Sequence, residues 1–317
     1  MPGIDTRNWP FNDIIWKNSV AANLLHNAVA AICRSRSADP ACLHSCAVLV
    51  YVASMLRLLP AIALTLAATP ALAGATAWQD IAPGTRARVI SSDIVSGGKT
   101  LVGLELDMPA DTKTYWRIPG ETGIPTQFDF AGSSGVSTPV VLWPYPQLDA
   151  TEGFRNYVYH GHLVLPVQLT VDGAATLDTA VTLGVCSDIC VPAQASFSLP
   201  LRADADPEQS LRLQQAVATT PIDWDQPAPP FGAVSAVPGG LAIADVDPAI
   251  DPASIIADVG DPQVLFGAPQ KSPDGRTLIL KLLEESGAQG LEGRPVSLTF
   301  TTASGPYAVS RPVAAAH

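Results

Sequence analysis

"HLVLPVQLTVDGAATLDTAVTLGVCSDICVPAQASFSL", residues 162–199, alternates apolar and other side chains almost without a break. Leu163, Leu165, Val167, Leu169 and Val171 share one phase, Leu177, Val181, Leu183 and Val185 share it further on, and Val191, Ala193, Ala195, Phe197 and Leu199 hold it to the end. Period two sends successive side chains to opposite faces, so each run reads as a strand with one buried face. "KTLVGLELDMP" (99–109) repeats the pattern through Val102, Leu104, Leu106 and Met108. Turn chemistry separates the runs at "SGGK" (96–99), "PGETG" (119–123), "AGSSG" (131–135) and "VDG" (171–173). The expected architecture from about residue 76 to 203 is two antiparallel sheets packed face to face, a β-sandwich.

Composition agrees with that class. The 317 residues include 29 Pro and 24 Gly but only 6% aromatics, which suits short strands and turns better than a helical bundle. A formal net charge of −11 argues against nucleic acid or an anionic membrane surface as partner.

An export signal begins late, at Met55: "MLRLLPAIALTLAATPALAGATAWQD". Arg57 supplies a basic start, Leu58 to Ala68 an apolar stretch, and Ala71-Leu72-Ala73 a cleavage site before Gly74. A membrane anchor is the competing reading, because "CAVLVYVAS" precedes Met55; Arg57, however, would fall near the middle of such a span, where a charge is costly. Residues 1–54 show no sustained periodicity, hold Cys33, Cys42 and Cys46, and read as an extension upstream of the true start. Removal of residues 1–73 would leave a more acidic chain with Cys186 and Cys190 as its only cysteines. Export to an oxidising compartment favours a disulfide between them.

Beyond the strands, Asp206-Pro207-Glu208-Gln209 reads as a helix start, with Asp as N-cap and Pro at the first helical position. The helix should run to about Ala218, and "DQPAPPFG" (225–232) reads as a stiff connector within a 204–232 linker. Residues 233–313 read as a second, smaller β domain with a hairpin around "KSPDGRTLILKL" (271–282). That segment carries no reactive group and is expected to be a spacer or docking module.

Cys186 and Cys190 flank the tip of a hairpin, in even phase where the core stripes are odd, so both should point away from the core. Three uses remain open: redox exchange, a structural bridge, or metal binding. A disulfide closing so short a loop restricts the unfolded chain by only about 2 kcal/mol, a weak staple. Outward-facing sulfurs are accessible to another protein's thiol, as exchange requires. No Lys or Arg lies within ten residues of either cysteine, and Asp188 sits between them, so nothing nearby in sequence favours a thiolate.

The blocks "TYWRIPGETGIPTQFDF" (114–130), "VVLWPYPQ" (140–147), "YVYHGHLVLPVQLTV" (157–171) and "TLGVCSDICVPAQASFSLPL" (182–201) resemble the N-terminal periplasmic domain of the thiol:disulfide interchange protein DsbD and its ScsB-like relatives. The resemblance implies an immunoglobulin-like β-sandwich whose cysteine pair takes electrons from a membrane domain and passes them to periplasmic proteins. It implies that Cys190 attacks the substrate disulfide and Cys186 resolves the mixed disulfide, with no cofactor beyond the redox-active pair. It also implies a cap of aromatics over the cysteines, for which Phe154, Tyr157 and Tyr159 in "DATEGFRNYVY" (149–159) are the candidates, while Trp116 and Trp143 read as packing residues. Two departures stand out. The best-known DsbD has five residues between its cysteines against three here, and no stretch after Leu201 is long enough to span a bilayer. A separate membrane protein would therefore deliver electrons, and thioredoxin-like periplasmic proteins would be the other partners.

"HGH" places His160 and His162 two apart, read here as one face of a strand in the phase of the cysteines. With Cys186 and Cys190 they make an alternative copper set. The same cysteine spacing occurs in copper-delivering proteins of the Sco type, but those are thioredoxin-like, with helices that this segment lacks. A non-catalytic sandwich with a structural disulfide is the remaining alternative.

Overall fold

The computed structural model describes residues 74–92, 95–201, 206–273, 275–283 and 290–315. The expected extension 1–54 and signal 55–73 lie outside the described residues. The described chain is all-β with one short helix, consistent with the immunoglobulin-like class. The strands of the first region are β1 (Gln79–Ala82), β2 (Thr85–Ser91), β3 (Lys99–Asp107), β4 (Lys113–Gly120), β5 (Gln127–Asp129) and β6 (Ser134–Val141). They continue with β7 (Gln147–Asp149), β8 (Asn156–His160), β9 (Leu163–Cys186) and β10 (Cys190–Leu201).

The alternating stripes do form the core. Leu104, Leu106, Leu165, Leu169, Leu177, Leu183 and Val185 are buried together with Ala193 and Phe197, and Trp116 closes the same cluster. The two layers are not separate sheets, however. What the sequence divides at "VDG" is one strand of 24 residues, β9. Its first half pairs with β3, from Leu163 opposite Leu106 to Thr170 opposite Lys99, and its second half pairs with β10, from Ala175 opposite Leu201 to Cys186 opposite Cys190. Gly173, at φ +65°, turns the strand at its exposed midpoint without ending the ladder, so the sheet curls over itself through β9.

Helix α1 (Pro207–Val217) follows, capped by Asp206, whose side chain accepts from the backbone N–H of Glu208 (3.0 Å) and Gln209 (3.2 Å). Its Leu213 is buried against Ile90 and Val164. Gly103 makes that approach possible: a Cβ there would lie 2.7 Å from Leu213 Cδ2.

The second region has two four-stranded sheets, built from β11 (Ile222–Asp223), β12 (Val234–Val237), β13 (Gly240–Ala244), β14 (Ile256–Asp258), β15 (Gln270–Lys271), β16 (Thr277–Lys281), β17 (Pro295–Thr302) and β18 (Gly305–Pro312). β15 and β16 make the expected hairpin. The stretch read as a connector is exposed over residues 225–229, but this core anchors it at both ends. Phe231 is buried with its ring 4.9 Å from that of Phe300, and Trp224 stands edge-on to Tyr307 at 5.0 Å. Proline stiffness alone suits a spacer, but the aromatics at both ends of "DQPAPPFG" gain more by burial.

The two regions touch. Ile256 of β14 is buried in the first core, Arg117 Nε of β4 donates to Asp258 Oδ2 at 2.8 Å, and the Tyr145 hydroxyl donates to the Ser254 carbonyl at 2.6 Å. The second region thus braces β4, the strand that also carries residues of the site.

Candidate functional site

Cys186 ends β9 and Cys190 begins β10, directly opposed in register, with Ser187, Asp188 and Ile189 as the three-residue turn between them. The two sulfurs are joined in a disulfide, their Cα atoms 4.0 Å apart. Both side chains leave the face opposite the core stripe, as the phase requires. Their exposure differs, and here the expectation of two outward-facing sulfurs needs correcting. Cys190 is exposed, whereas Cys186 is wholly buried, in a small cluster of its own with Tyr115 and Val158. The cover comes from β4, which pairs with β8 through Tyr115 and Val158 and meets β9 at Lys113 opposite Cys186.

Tyr115 reaches the hairpin because two glycines make room for its ring. A Cβ at Gly184, two residues before Cys186, would stand 3.1 Å from the ring, and one at Gly123 would stand 2.4 Å from its other side. The "PGETG" loop that supplies Gly123 is tied down by Asn156, whose side chain accepts from the Thr122 N–H (3.1 Å) and donates to Thr122 Oγ1 (2.9 Å). Disulfide sulfur carries no proton, so the Tyr115 hydroxyl is the donor to Cys186 Sγ at 3.1 Å and to Cys190 Sγ at 3.5 Å. Burial pushes the Tyr115 phenol above its ordinary range; the Lys113 charge opposes this and the Asp149 charge adds to it.

Lys113 and Asp149 complete the site. Nζ is 2.6 Å from Asp149 Oδ2, and both side chains are largely covered. The hydrogen bond from Lys113, then bonds from the Thr151 side chain and backbone, hold the Asp149 carboxyl well below the usual carboxylate range. Sequence proximity could not find this pair: strand pairing brings a cation beside a cysteine that has none within ten residues. The one signal was the position of Lys113 and Tyr115 in phase, just ahead of the "PGETG" turn.

The cap candidates separate. Phe154 is 45% exposed, in the loop that opens with the anchored Asp149. Tyr157 and Tyr159 are buried on the core face of β8 instead: Tyr157 meets the Trp116 ring edge-on at 5.9 Å, and Tyr159 donates to the Pro144 carbonyl at 2.7 Å. Odd phase on β8 takes both rings inward. Trp116 is wholly buried and Trp143 packs against Phe128, as packing residues do. Asp188 is exposed at the turn, beside Ile189, which is 75% exposed.

His160 and His162 do not share a strand face. His160 ends β8, Gly161 turns the chain at φ +66°, and His162 precedes β9 with Nε2 2.8 Å from Glu105 Oε1. Among the described residues no three His, Cys, Asp or Glu side chains gather as a metal-binding group.

Comparison with known proteins follows the same lines. Residues 79–202 match the family model for the thiol:disulfide interchange protein DsbD, N-terminal. The solved N-terminal periplasmic domain of ScsB from Proteus mirabilis is similar over 76% of this chain and 98% of that one, with 25% identity and a TM-score of 0.61. That likeness covers about twice the length of the family match, so it takes in the second β region as well. No curated protein matches the chain. The segment that builds the curled sheet and carries the cysteine hairpin, residues 79–202, is thus similar to the DsbD N-terminal domains.

Proposed function

We propose that this chain is a periplasmic thiol:disulfide exchange module that carries electrons from a separate membrane protein to thioredoxin-like partner proteins. The observation that carries the reading is the unequal placement of the two sulfurs: Cys190 exposed at a hairpin tip, Cys186 directly behind it under Tyr115. Exchange needs one sulfur that a visiting protein can reach and a second that it cannot reach but that stands next to the first. In the reduced form the Cys190 thiolate attacks one sulfur of the partner's disulfide, and the partner's other sulfur leaves and takes a proton. Cys186 then gives up its proton and attacks Cys190 Sγ, closing the pair and releasing the partner's second sulfur. Two electrons pass to the partner, and the chain is left oxidised.

The family match and the periplasmic likeness of the ScsB domain support the compartment and the partner class. Among the described residues no helix is long and apolar enough to cross a membrane. Ile189 offers a partner an apolar contact beside Cys190, and Phe154 would cap the site until one docks.

Trapping tests the reading. Cys186→Ala removes the resolving sulfur, so reduced protein mixed with oxidised periplasmic thioredoxin-like proteins should accumulate a stable mixed disulfide through Cys190. Cys190→Ala should give none, because the buried sulfur cannot be reached. Equal adducts from both variants, or none from either, would leave the disulfide as a structural bridge.

A further inference from the structure

Lys113 occupies a position that the exchange chemistry gives a use. It is the residue of β4 directly opposite Cys186, and on its other side it is opposite His160 of β8. Directly opposed residues of antiparallel strands send their side chains to the same face, with Cβ atoms about 5 Å apart. The Lys113 stem therefore leaves the sheet on the same face as Cys186, and its ammonium is paired with Asp149 at 2.6 Å. Tyr115, two residues along the same strand, connects the pair to the sulfurs: its hydroxyl bonds to both, and it feels the charges of Lys113 and Asp149 in opposite senses. The titratable and charged groups on the strands around Cys186 are Lys113 and Tyr115 of β4, His160 of β8 opposite Lys113, Asp149 at the end of β7 on the Lys113 ammonium, and Asp188 of the cysteine turn itself.

A resolving cysteine must become an anion before it attacks. Cys186 is buried, and burial alone disfavours a thiolate. We propose that Lys113 is the positioning residue that makes the buried Cys186 competent to resolve the mixed disulfide, its ammonium stabilising the thiolate as the proton leaves, with Asp149 setting how much of that charge the sulfur feels. This rests on the exchange function above. It adds the residue that governs the second step: the Cys190–partner bond breaks and the Cys186–Cys190 bond forms at a rate set by the fraction of Cys186 in its thiolate form.

The ion pair has a bland role as well, holding the loop after β7, and the test must separate the two. Cys33, Cys42 and Cys46 are replaced by Ser so that only the pair reports. The reduced chain is mixed with an aromatic disulfide whose thiolate is coloured. Attack by Cys190 releases the first thiolate and resolution by Cys186 the second, and the second phase is followed against pH. Lys113→Met should slow that phase about tenfold or more near neutral pH and move its midpoint upward, since a neighbouring opposite charge is worth one to three pH units. Lys113→Arg should keep it close to wild type. Asp149→Asn breaks the same ion pair but leaves the cation, so its midpoint should move downward. Equal slowing by Lys113→Met and Asp149→Asn would reduce the pair to a loop anchor and overturn the proposal, as would a Lys113→Met profile identical to wild type. A first phase with no second phase in any protein would instead sink the exchange reading, and this one with it.

Discussion

Tyr115 reaches the disulfide because glycines 123 and 184 leave no side chain on either side of its ring. Its hydroxyl discriminates between redox states. A disulfide sulfur is a weak acceptor, whereas a thiolate is charged and accepts far more strongly. The bond therefore favours the reduced pair. Burial keeps the phenol protonated, so it can donate throughout the working pH range. Tyr115→Phe should make the disulfide harder to reduce, by about 30 mV if the lost bond is worth the lower end of a charge-assisted hydrogen bond, ~1.5 kcal/mol. Equilibration with glutathione mixtures measures this, and an unchanged potential would mean the hydroxyl does not distinguish the two states. Stability should change little, since only a bond to sulfur is lost. At this scale the sequence is half legible. Period two named the cysteine face correctly, but not that β4 covers Cys186, because which strand lies beside which is not encoded in the phase of either. His160 and His162 mislead for a related reason: the Gly between them permits a turn as readily as a strand.

Among the elements, α1 is the one whose attachment can be tested. Glu105 of β3 is buried, and its carboxylate meets Arg88 Nε of β2 at 2.5 Å and Arg212 Nη1 of α1 at 2.6 Å, with His162 on the same oxygen as Arg212. Burial pushes the Glu105 carboxyl up, but the bonds from Arg88, His162 and Arg212 together outweigh it and hold the group below its usual range. Glu105→Gln keeps the shape and leaves Arg88 buried without its counter-charge, so unfolding in urea should show a loss of about 3 kcal/mol at neutral pH. The sign with pH follows from the lowered value. The ionised form contributes stability above the ordinary carboxylate range and loses it as pH falls through the folded value, so the gap between wild type and variant should narrow below about pH 4. A gap that widens in acid would contradict this. The helix itself was legible, since Asp206 and Pro207 are a start signal that needs no tertiary partner. β9 was not: an Asp-Gly pair between two strand patterns reads as a hairpin turn, and only pairing with β3 and β10 on either half shows that the ladder continues through Gly173.

For the whole molecule, what matters is that the second β region is joined to the first at the site strand and not by a loose tether. Arg117 stacks over Trp116 at 4.1 Å and bonds Asp258, which fixes β4 two residues beyond Tyr115. Tyr145 is the other tie, its hydroxyl donating to the Ser254 carbonyl. Burial pushes that phenol up to about 12 from an ordinary 10, with the Ser254 bond working the other way. The folded chain therefore keeps a proton that the unfolded chain gives up, and between pH 10 and 12 stability must fall as pH rises. Tyr145→Phe removes both the tie and its share of that alkaline loss. At neutral pH the variant should be less stable by about 1 kcal/mol, the net worth of one hydrogen bond. The difference from wild type should then shrink as the pH rises from 10 toward 12. Denaturant unfolding at pH 7, 10 and 11 measures it. A constant difference across those three values would mean that Tyr145 titrates alike in both states, and that its hydroxyl does not hold the two regions together.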